Sequence, residues 1–249
     1  MRKIIMLLAL VTALSLTACA VTVNGTPVAV VRGSGVVVTE TRQVSGFNAL
    51  SFAGLGEVII TQGQTESLTI EAEDNIVPQI KTEVRNGTLR IGFNRDKWQD
   101  WVAPTKPIKF NLSVKDMTTI ESSGLGSIQI AGFKTNKLTL GISGAGNIKI
   151  TNLDASSVST SINGTGSIEL AGKAAQQVST LSGIGSYQAG DFATQQADIN
   201  ISGAGSATVW ASEALDVTIS GAGSVSYYGN PTVKKSITGL GAVKGLGNK

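Results

Sequence analysis

Apolar and polar residues alternate with a period of two along much of the chain, and the segment 137–150 illustrates the pattern. One parity holds only apolar residues and glycine, namely Leu138, Leu140, Ile142, Gly144, Gly146, Ile148 and Ile150. The other parity carries polar residues such as Thr139, Ser143 and Lys149. This alternation predicts a strand with one buried face, whose inward row is interrupted by two glycines.

The glycine pair belongs to a motif, S-G-x-G-S, that recurs along the chain. Copies lie at residues 123–127, 143–147, 163–167, 182–186, 202–206 and 220–224, and a weaker copy lies at 238–242. Successive first glycines are 20, 20, 19, 20, 18 and 18 residues apart, which indicates an internal repeat. The step of 19 residues shifts the parity, and we expect a connecting loop to absorb it. The predicted turn glycines are Gly124, Gly126, Gly144, Gly146, Gly164, Gly166, Gly183, Gly185, Gly203, Gly205, Gly221 and Gly223.

A unit of this length cannot bury its own apolar row, whereas stacked copies bury it against one another. The repeat therefore predicts an all-β fold, a parallel β-helix-like solenoid with coils of roughly 20 residues. Each coil would add about 4.8 Å of height. At the corner of a narrow coil, an inward Cβ would strike the opposite wall, and glycine also permits a positive φ.

The N-terminal part is less regular. Gly54-Leu55-Gly56 is a divergent copy of the motif, and an insertion separates it from Gly124. We predict strands in this insertion at residues 81–84, 88–93 and 108–114. The solenoid domain is predicted over residues 36–249, with an irregular part at 36–116 and regular repeats at 117–245.

The first 18 residues have the features of an export signal: Arg2 and Lys3, an apolar run, and small residues before Cys19. Leu16-Thr17-Ala18-Cys19 resembles the lipobox of bacterial lipoproteins, which predicts lipidation of Cys19 and a lipidated tether over residues 19–35. The alternative is an ordinary signal peptide with an incidental cysteine. Because Ala20 is not the aspartate associated with inner-membrane retention, we expect delivery to the outer membrane of a Gram-negative bacterium.

Composition excludes several kinds of chemistry. The 20 basic residues fall to 18 once Arg2 and Lys3 are removed, against 17 acidic ones, so charge does not support a nucleic-acid partner. Cys19 is the only cysteine, and the chain has no histidine, which removes Ser-His and Cys-His pairs and most zinc sites. No aspartate follows the glycines as in calcium-binding β-rolls, and no helix pattern follows them as in phosphate loops. We predict no metal and no cofactor.

Two candidate sites remain. The acids of the repeats, whose places in the repeat we take not to coincide, favour a solvated face over a catalytic pair; they are Glu121, Asp154, Glu169, Asp191, Asp198, Glu213 and Asp216. Trp98 and Trp101 lie in a charged loop at residues 94–107, where they would cover an end of the solenoid or contact a glycan or protein. Tyr227 and Tyr228 share this ambiguity.

The order of elements resembles a known family. GFNALSFAGLGEV, the later LTIEAEDNIVPQIKTEVRNGTLRI, the glycine series and YYGNP before the last TGLG are similar to the "putative auto-transporter adhesin head GIN domain" family over residues 36–245. The resemblance implies a β-helix-like fold in an envelope lipoprotein and supplies no catalytic residues.

We therefore expect a non-catalytic, lipid-anchored envelope protein that serves as a binding, adhesin-like or structural module. Its predicted partners are the membrane, through the anchor, and a glycan or an envelope protein, and the chain could also self-associate. The alternative function is a carbohydrate-active enzyme on a β-helix scaffold, using paired carboxylates.

Overall fold

The computed structural model describes residues 22–23, 26–27, 29–94 and 100–249 of the protein. Within these residues the chain forms strands and one 3₁₀ turn at Val77–Gln79. The strands are β1 (Thr22–Val23), β2 (Thr26–Pro27), β3 (Ala29–Arg32), β4 (Val37–Arg42), β5 (Ala49–Phe52), β6 (Leu55–Gln62), β7 (Ser67–Glu73), β8 (Ile80–Arg85), β9 (Thr88–Phe93), β10 (Asp100–Ala103), β11 (Lys109–Val114), β12 (Thr119–Ser122), β13 (Leu125–Ile142), β14 (Ala145–Ile162), β15 (Thr165–Leu181), β16 (Ile184–Ile201), β17 (Ala204–Ile219), β18 (Ala222–Tyr228), β19 (Thr232–Ile237) and β20 (Leu240–Gly245).

The strands build two walls. Wall A runs β4-β7-β11-β6, then through the first halves of β13 to β17, and ends with β18 and β20. Wall B runs β8-β9-β5-β12, then through the second halves of β13 to β17, and ends with β19. Each of β13 to β17 bends and contributes to both walls, so each forms one coil.

This arrangement confirms the predicted solenoid, which makes about six turns. All pairs between successive coils are parallel, and the glycine motifs stack in register, as Gly126 with Gly146 and Gly205 with Gly223. The divergent copy joins the same stack, because Leu55 and Gly56 pair with Leu125 and Gly126. An insertion of several strands therefore leaves the repeat intact in space.

The structure gives a different reason for the glycines from the one we expected. A Cβ added to Gly144 would lie within 3.0 Å of the carbonyl oxygen of Gly124 in the preceding coil, and one on Gly164 would meet that of Gly144 in the same way. The obstacle is the backbone of the neighbouring coil rather than the opposite wall. Since coils are held at the spacing of hydrogen-bonded strands, a side chain there has no room to move aside.

The inward rows form one continuous apolar core between the walls. The row that follows the second glycine is buried throughout: Ile128, Ile148, Ile168, Tyr187, Ala207 and Val225. Tyr187 is the largest member, and the small Ala207 lies next to it in register. Fully burying an isoleucine is worth about 1.5–3 kcal/mol, so each coil contributes to the stability of its neighbours.

A small polar network lies inside this core. The Tyr187 hydroxyl donates to Gln177 Oε1 at 2.8 Å, and Gln177 Nε2 donates to Thr194 Oγ1 at 2.8 Å. Thr194 Oγ1 in turn donates to the Trp210 carbonyl at 2.7 Å. Because an unpaired polar group would be costly at this depth, the network favours one alignment of these coils.

The missing residue of the 19-residue step is absorbed at the second corner of the coil. The register between β14 and β15 shifts between Ile150 and Leu153. Asn152 has a φ of 54° on one strand, and Gly172 has a φ of 132° on the other. A side chain is disfavoured at Gly172, because a Cβ there would also meet the Leu153 carbonyl.

Candidate functional site

Wall A presents two parallel rows of outward polar residues. The first row, the serine ladder, is Ser127, Asn147, Ser167, Ser186, Ser206 and Ser224. The second row, the mixed ladder, is Gln129, Lys149, Glu169, Gln188, Thr208 and Ser226. Both rows arise because a period-two strand sends every second side chain outward, and the repeat places the same position above itself in each coil.

Side chains within the ladders bond to one another. Ser167 donates from its hydroxyl to Asn147 Oδ1 at 2.8 Å, and Lys149 pairs with Glu169 at 2.7 Å. These residues, with Ser127 and Gln129, line a shallow depression on the face. An exposed ion pair of this kind contributes at most about 1 kcal/mol, so the arrangement offers donors and acceptors to a partner more than it stabilises the fold.

The middle residue of each glycine motif forms an apolar ridge beside the serine ladder. The row is Leu55, Leu125, Ala145, Thr165, Ile184, Ala204, Ala222 and Leu240. Three of its larger members are exposed, with Leu125 at 57 %, Ile184 at 64 % and Leu240 at 84 % of full accessibility, whereas Leu55 is half-buried. The motif therefore places a side chain on the outside of the corner and none on the inside.

The acids do not all lie at different repeat positions, which corrects our expectation. Asp198 and Asp216 are register partners on wall B, and Lys234 continues the same outward row. The signal was present in the sequence, since each aspartate comes five residues before the first glycine of a motif. Other acids have separate partners: Glu169 pairs with Lys149, and Asp154 pairs with Lys173 at 3.6 Å.

A buried carboxylate that we did not predict holds the N-terminal segment. Glu73 is only 1 % exposed, and it accepts hydrogen bonds from Gly35 N at 2.6 Å and from Thr105 N at 2.8 Å. It also accepts bonds from the Thr105 hydroxyl at 2.5 Å and from Lys106 N at 3.3 Å. Burial raises the pKa of Glu73, but these hydrogen bonds outweigh burial and lower the pKa from 4.5 to about 2. We call this arrangement the Glu73 clasp.

The clasp also places the loop at residues 94–107. Its last part reaches Glu73, and β10 pairs in parallel with β3, which lies in the segment predicted as a tether. Trp98 and the side chain of Trp101 lie outside the described residues, as do Cys19 and the whole of the predicted export signal. Tyr227 and Tyr228 lie far along the chain, half-buried on β18.

The described residues lack a metal cluster and a membrane-spanning helix. They contain no group of three or more His, Cys, Asp or Glu residues arranged to hold a metal ion. Nor does this part of the chain contain a helix that is long and apolar enough to span a membrane.

Comparison with known proteins identifies the family. The family model described as "Putative auto-transporter adhesin, head GIN domain" matches residues 46–231. The chain belongs to this family. The matched region contains the insertion, most of both walls, most of the glycine series and both ladders.

Solved structures share the fold of this GIN domain. A "putative adhesin" from Bacteroides fragilis is 27 % identical, with a TM-score of 0.82 over 87 % of this chain and 100 % of that chain. A "putative lipid binding protein" from Parabacteroides distasonis is 24 % identical, with a TM-score of 0.74 over 87 % and 99 %. A "putative adhesin" from Parabacteroides merdae is 24 % identical, with a TM-score of 0.69 over 88 % and 99 %. A search of curated proteins found no match.

Proposed function

We propose that this GIN domain is a lipid-anchored, non-catalytic binding module of the bacterial outer membrane, and that wall A is its binding face. Cys19 carries the anchor, and the serine and mixed ladders contact an extended polar partner, with a glycan as the first candidate. The adhesin description of the family supports a binding role. The resemblance of residues 16–19 to a lipobox supports the anchor.

The observation that carries the proposal is the regularity of the two ladders. Hydroxyl and amide groups recur at the strand spacing of about 4.8 Å along the solenoid axis. A polymer with its own repeating hydroxyls can bond to several coils at once, and such multiple weak contacts raise the overall affinity. The face carries both charges in the Lys149–Glu169 pair, so it has little net preference for an ionic partner.

A second candidate, a carbohydrate-active enzyme, is favoured by one observation. Asp198 and Asp216 lie side by side on adjacent coils, and two carboxylates are the usual apparatus of glycoside hydrolysis. Both side chains are exposed on an outward strand row. Incubation with a glycan that the protein binds should release no reducing ends; release that is lost in an Asp198→Asn/Asp216→Asn double variant would instead establish the enzyme.

The anchor and the location are tested on cells. Labelling with palmitate should mark the native protein and not a Cys19→Ala variant, which should no longer remain with the membrane. Protease added to intact cells should shave the native protein if it is displayed at the surface. Protection until the outer membrane is broken would refute the adhesin role and leave a periplasmic binding role.

The binding face is tested by co-sedimentation of the purified protein with two insoluble glycans, peptidoglycan sacculi and mucin. We expect binding to at least one of them, and a loss of about tenfold in affinity when Asn147 and Ser167 are both changed to alanine. A matched control changes Ser159 and Ser161 to alanine on wall B. Equal effects on both walls, or no binding to either glycan, would contradict the assignment of wall A.

A further inference from the structure

Wall A changes character near its C-terminal end because β16 contains a bulge. The register with β17 jumps from the pair Ala189 and Val209 to the pair Ala193 and Trp210. Gly190, Asp191 and Phe192 therefore have no partner on β17. Phe192 is buried in the core, whereas Asp191 is exposed. Bulges of this kind redirect side chains and are frequent beside functional sites.

Two aromatic rings lie next to the bulge. Trp210 and Tyr228 are register partners on β17 and β18, and both are half-buried in a chain with only 5 % aromatic residues. Gly190 leaves room for the tyrosine ring, because a Cβ there would lie 3.3 Å from Tyr228 Cε2. Half-buried aromatic rings with free edges or faces are common at sites of recognition.

The ammonium group of Lys249 already lies between the bulge and the two rings, on the protein surface. Lys249 Nζ donates to the Gly190 carbonyl at 2.9 Å and bonds to Asp191 Oδ1. The same nitrogen lies 5.0 Å from the ring centre of Tyr228 and 5.9 Å from that of Trp210. Both distances are within the range of cation–π attraction.

The segment that carries Lys249 is held on the outside of the last coils. Leu246 N donates to the Tyr227 carbonyl at 2.8 Å, and Gly229 N donates to the Gly247 carbonyl at 3.0 Å. These backbone bonds bring the lysine to the bulge from 58 residues further along the chain. The contact is therefore intramolecular, with few bonds holding the segment down.

We propose that Gly190, Asp191, Trp210 and Tyr228 form a binding site for a primary alkylammonium group, which Lys249 fills in cis and the lysine side chain of a protein partner can fill in its place. A primary ammonium has three N–H donors, and here a carbonyl and a carboxylate accept two of them while the rings face the charge. A quaternary ammonium could not donate these bonds. The site borders the mixed ladder, since a Cβ on Gly190 would lie 3.2 Å from Thr208 Cγ2. It lies on β16 to β18, whereas the depression lies on β13 to β15.

Competition with Lys249 determines what an experiment should detect. A tethered group has an effective concentration in the millimolar range, so a free lysine must exceed this to displace it. We therefore expect weak binding by the native protein and clear binding once Lys249 is removed. The mature chain with Lys249→Met keeps the aliphatic part of the side chain and removes the charge, which makes it the appropriate test protein.

The probe is Nα-acetyl-lysine amide, followed by tryptophan fluorescence, with Trp210→Phe used to identify the part of the signal that comes from the site. Lys249→Met should bind the probe at least about fivefold more tightly than the native chain, because the tethered competitor is gone. Adding Asp191→Asn should weaken binding by about three- to fivefold, since the charge partner of an exposed ion pair is lost. Adding Asp198→Asn, an exposed aspartate on the same strand, should have no effect.

Two further probes sharpen the chemistry. The Nε-acetylated form of the probe has no charge and should not bind, and the Nε-trimethylated form should bind more weakly than the primary amine. The proposal is overturned if Lys249→Met binds no better than the native chain, or if Asp191→Asn and Asp198→Asn behave alike. Loss of thermal stability in Lys249→Met without probe binding would also overturn it, and would make the contact a structural clasp only.

Discussion

The two ends of the solenoid protect their edge strands in different ways. At the N-terminal end, further strands extend both walls beyond the stacked coils. On wall A, β7 and β4 are added in antiparallel pairs. On wall B, β9 pairs in parallel with β5, and β8 pairs antiparallel with β9. At the C-terminal end, β19 and β20 are the last strands, and no residue from 232 to 249 is buried. An open strand edge invites further strands to pair, so the bare end needs protection of another kind.

That protection is a lysine at a core position. Lys235 pairs with the buried Val217, so it occupies the inward row of the last coil. A further coil stacked below would have to bury this charge, which is costly without a partner. An inward-pointing charge on an edge strand is a known way to prevent edge-to-edge association. The N-terminal end is therefore stabilised by packing. The C-terminal end is kept from associating because association would bury the charge of Lys235.

The largest difference in stability between the two ends should come from truncating a buried side chain near the N-terminal end. Phe110 on β11 is fully buried and makes an edge-to-face contact with Phe52 at 5.5 Å. We expect Phe110→Ala to lower the free energy of unfolding by about 3–5 kcal/mol. Leu240→Ala in the last coil should change it by less than about 0.5 kcal/mol. Urea denaturation measures both; similar losses would show that the two ends contribute equally.

Glycine substitutions test how tightly each region is stacked. Gly144→Ala, in the middle of the stack, should cost about 2–4 kcal/mol, because its Cβ meets a backbone carbonyl and coils lie on both sides. Gly239→Ala meets the Gly221 carbonyl in the same way, but nothing lies below the last coil, so that coil can move away. The loss at Gly239 should be clearly smaller in thermal unfolding. A loss equal to that at Gly144 would mean that the last coil is as constrained as the middle.

The Glu73 clasp should make the N-terminal end sensitive to acid. Its pKa of about 2 in the folded protein lies below the ordinary 4.5, so the ionised form stabilises the fold at neutral pH. This stabilisation is fully present above pH 4.5 and is lost as the pH falls towards about 2. Glu73→Gln should flatten the pH dependence of the unfolding midpoint in this window. The control is Glu83→Gln, which changes an exposed glutamate on β8 and should retain the native slope. If both variants have the same slope, the clasp is contradicted.

The smallest effect on stability, but a change in assembly, is expected at the bare end. Lys235→Val should restore an apolar inward row and allow end-to-end association, seen as a concentration-dependent increase in sedimentation coefficient. Lys234→Val, on the outward row, removes the same charge without completing the core and should remain like the native protein. Association in both variants would assign the effect to net charge rather than to the inward position.

The regular part of the fold could be predicted because each residue's position repeats. The spacing of the motifs fixes which glycine stacks on which, and the strands predicted at 81–84, 88–93 and 108–114 are observed as β8, β9 and β11. The N-terminal strands outside the stack could not be predicted, because β7 pairs with β11 and with β4 and no repeat relates these segments. Glu73 gives no local signal either, since its donors come from residues 35, 105 and 106.

The site was harder to predict than the fold for a similar reason. The ladders follow from the repeat, whereas the ammonium site depends on a bulge and on a lysine that approaches from a distant part of the sequence. Tyr228 could be noted as an unusual aromatic residue, but its neighbours become visible only in the register. The pair Asp198 and Asp216 could be predicted from the sequence, because each aspartate lies five residues before the first glycine of its motif.

The Glu73 clasp also determines how the molecule would yield to a mechanical load. Beyond the short β1–β2 pair, a pull on the N-terminal segment reaches β3 and then the bonds that hold Gly35, before any strand of the stacked coils carries tension. After the β1–β2 pair has opened, we expect β3 to detach from β10, the clasp to release next and β4 to separate from β7 last. Each step would lengthen the N-terminal segment while the coils stay folded. The N-terminal segment would thus extend under load, whereas the stacked coils would keep their length.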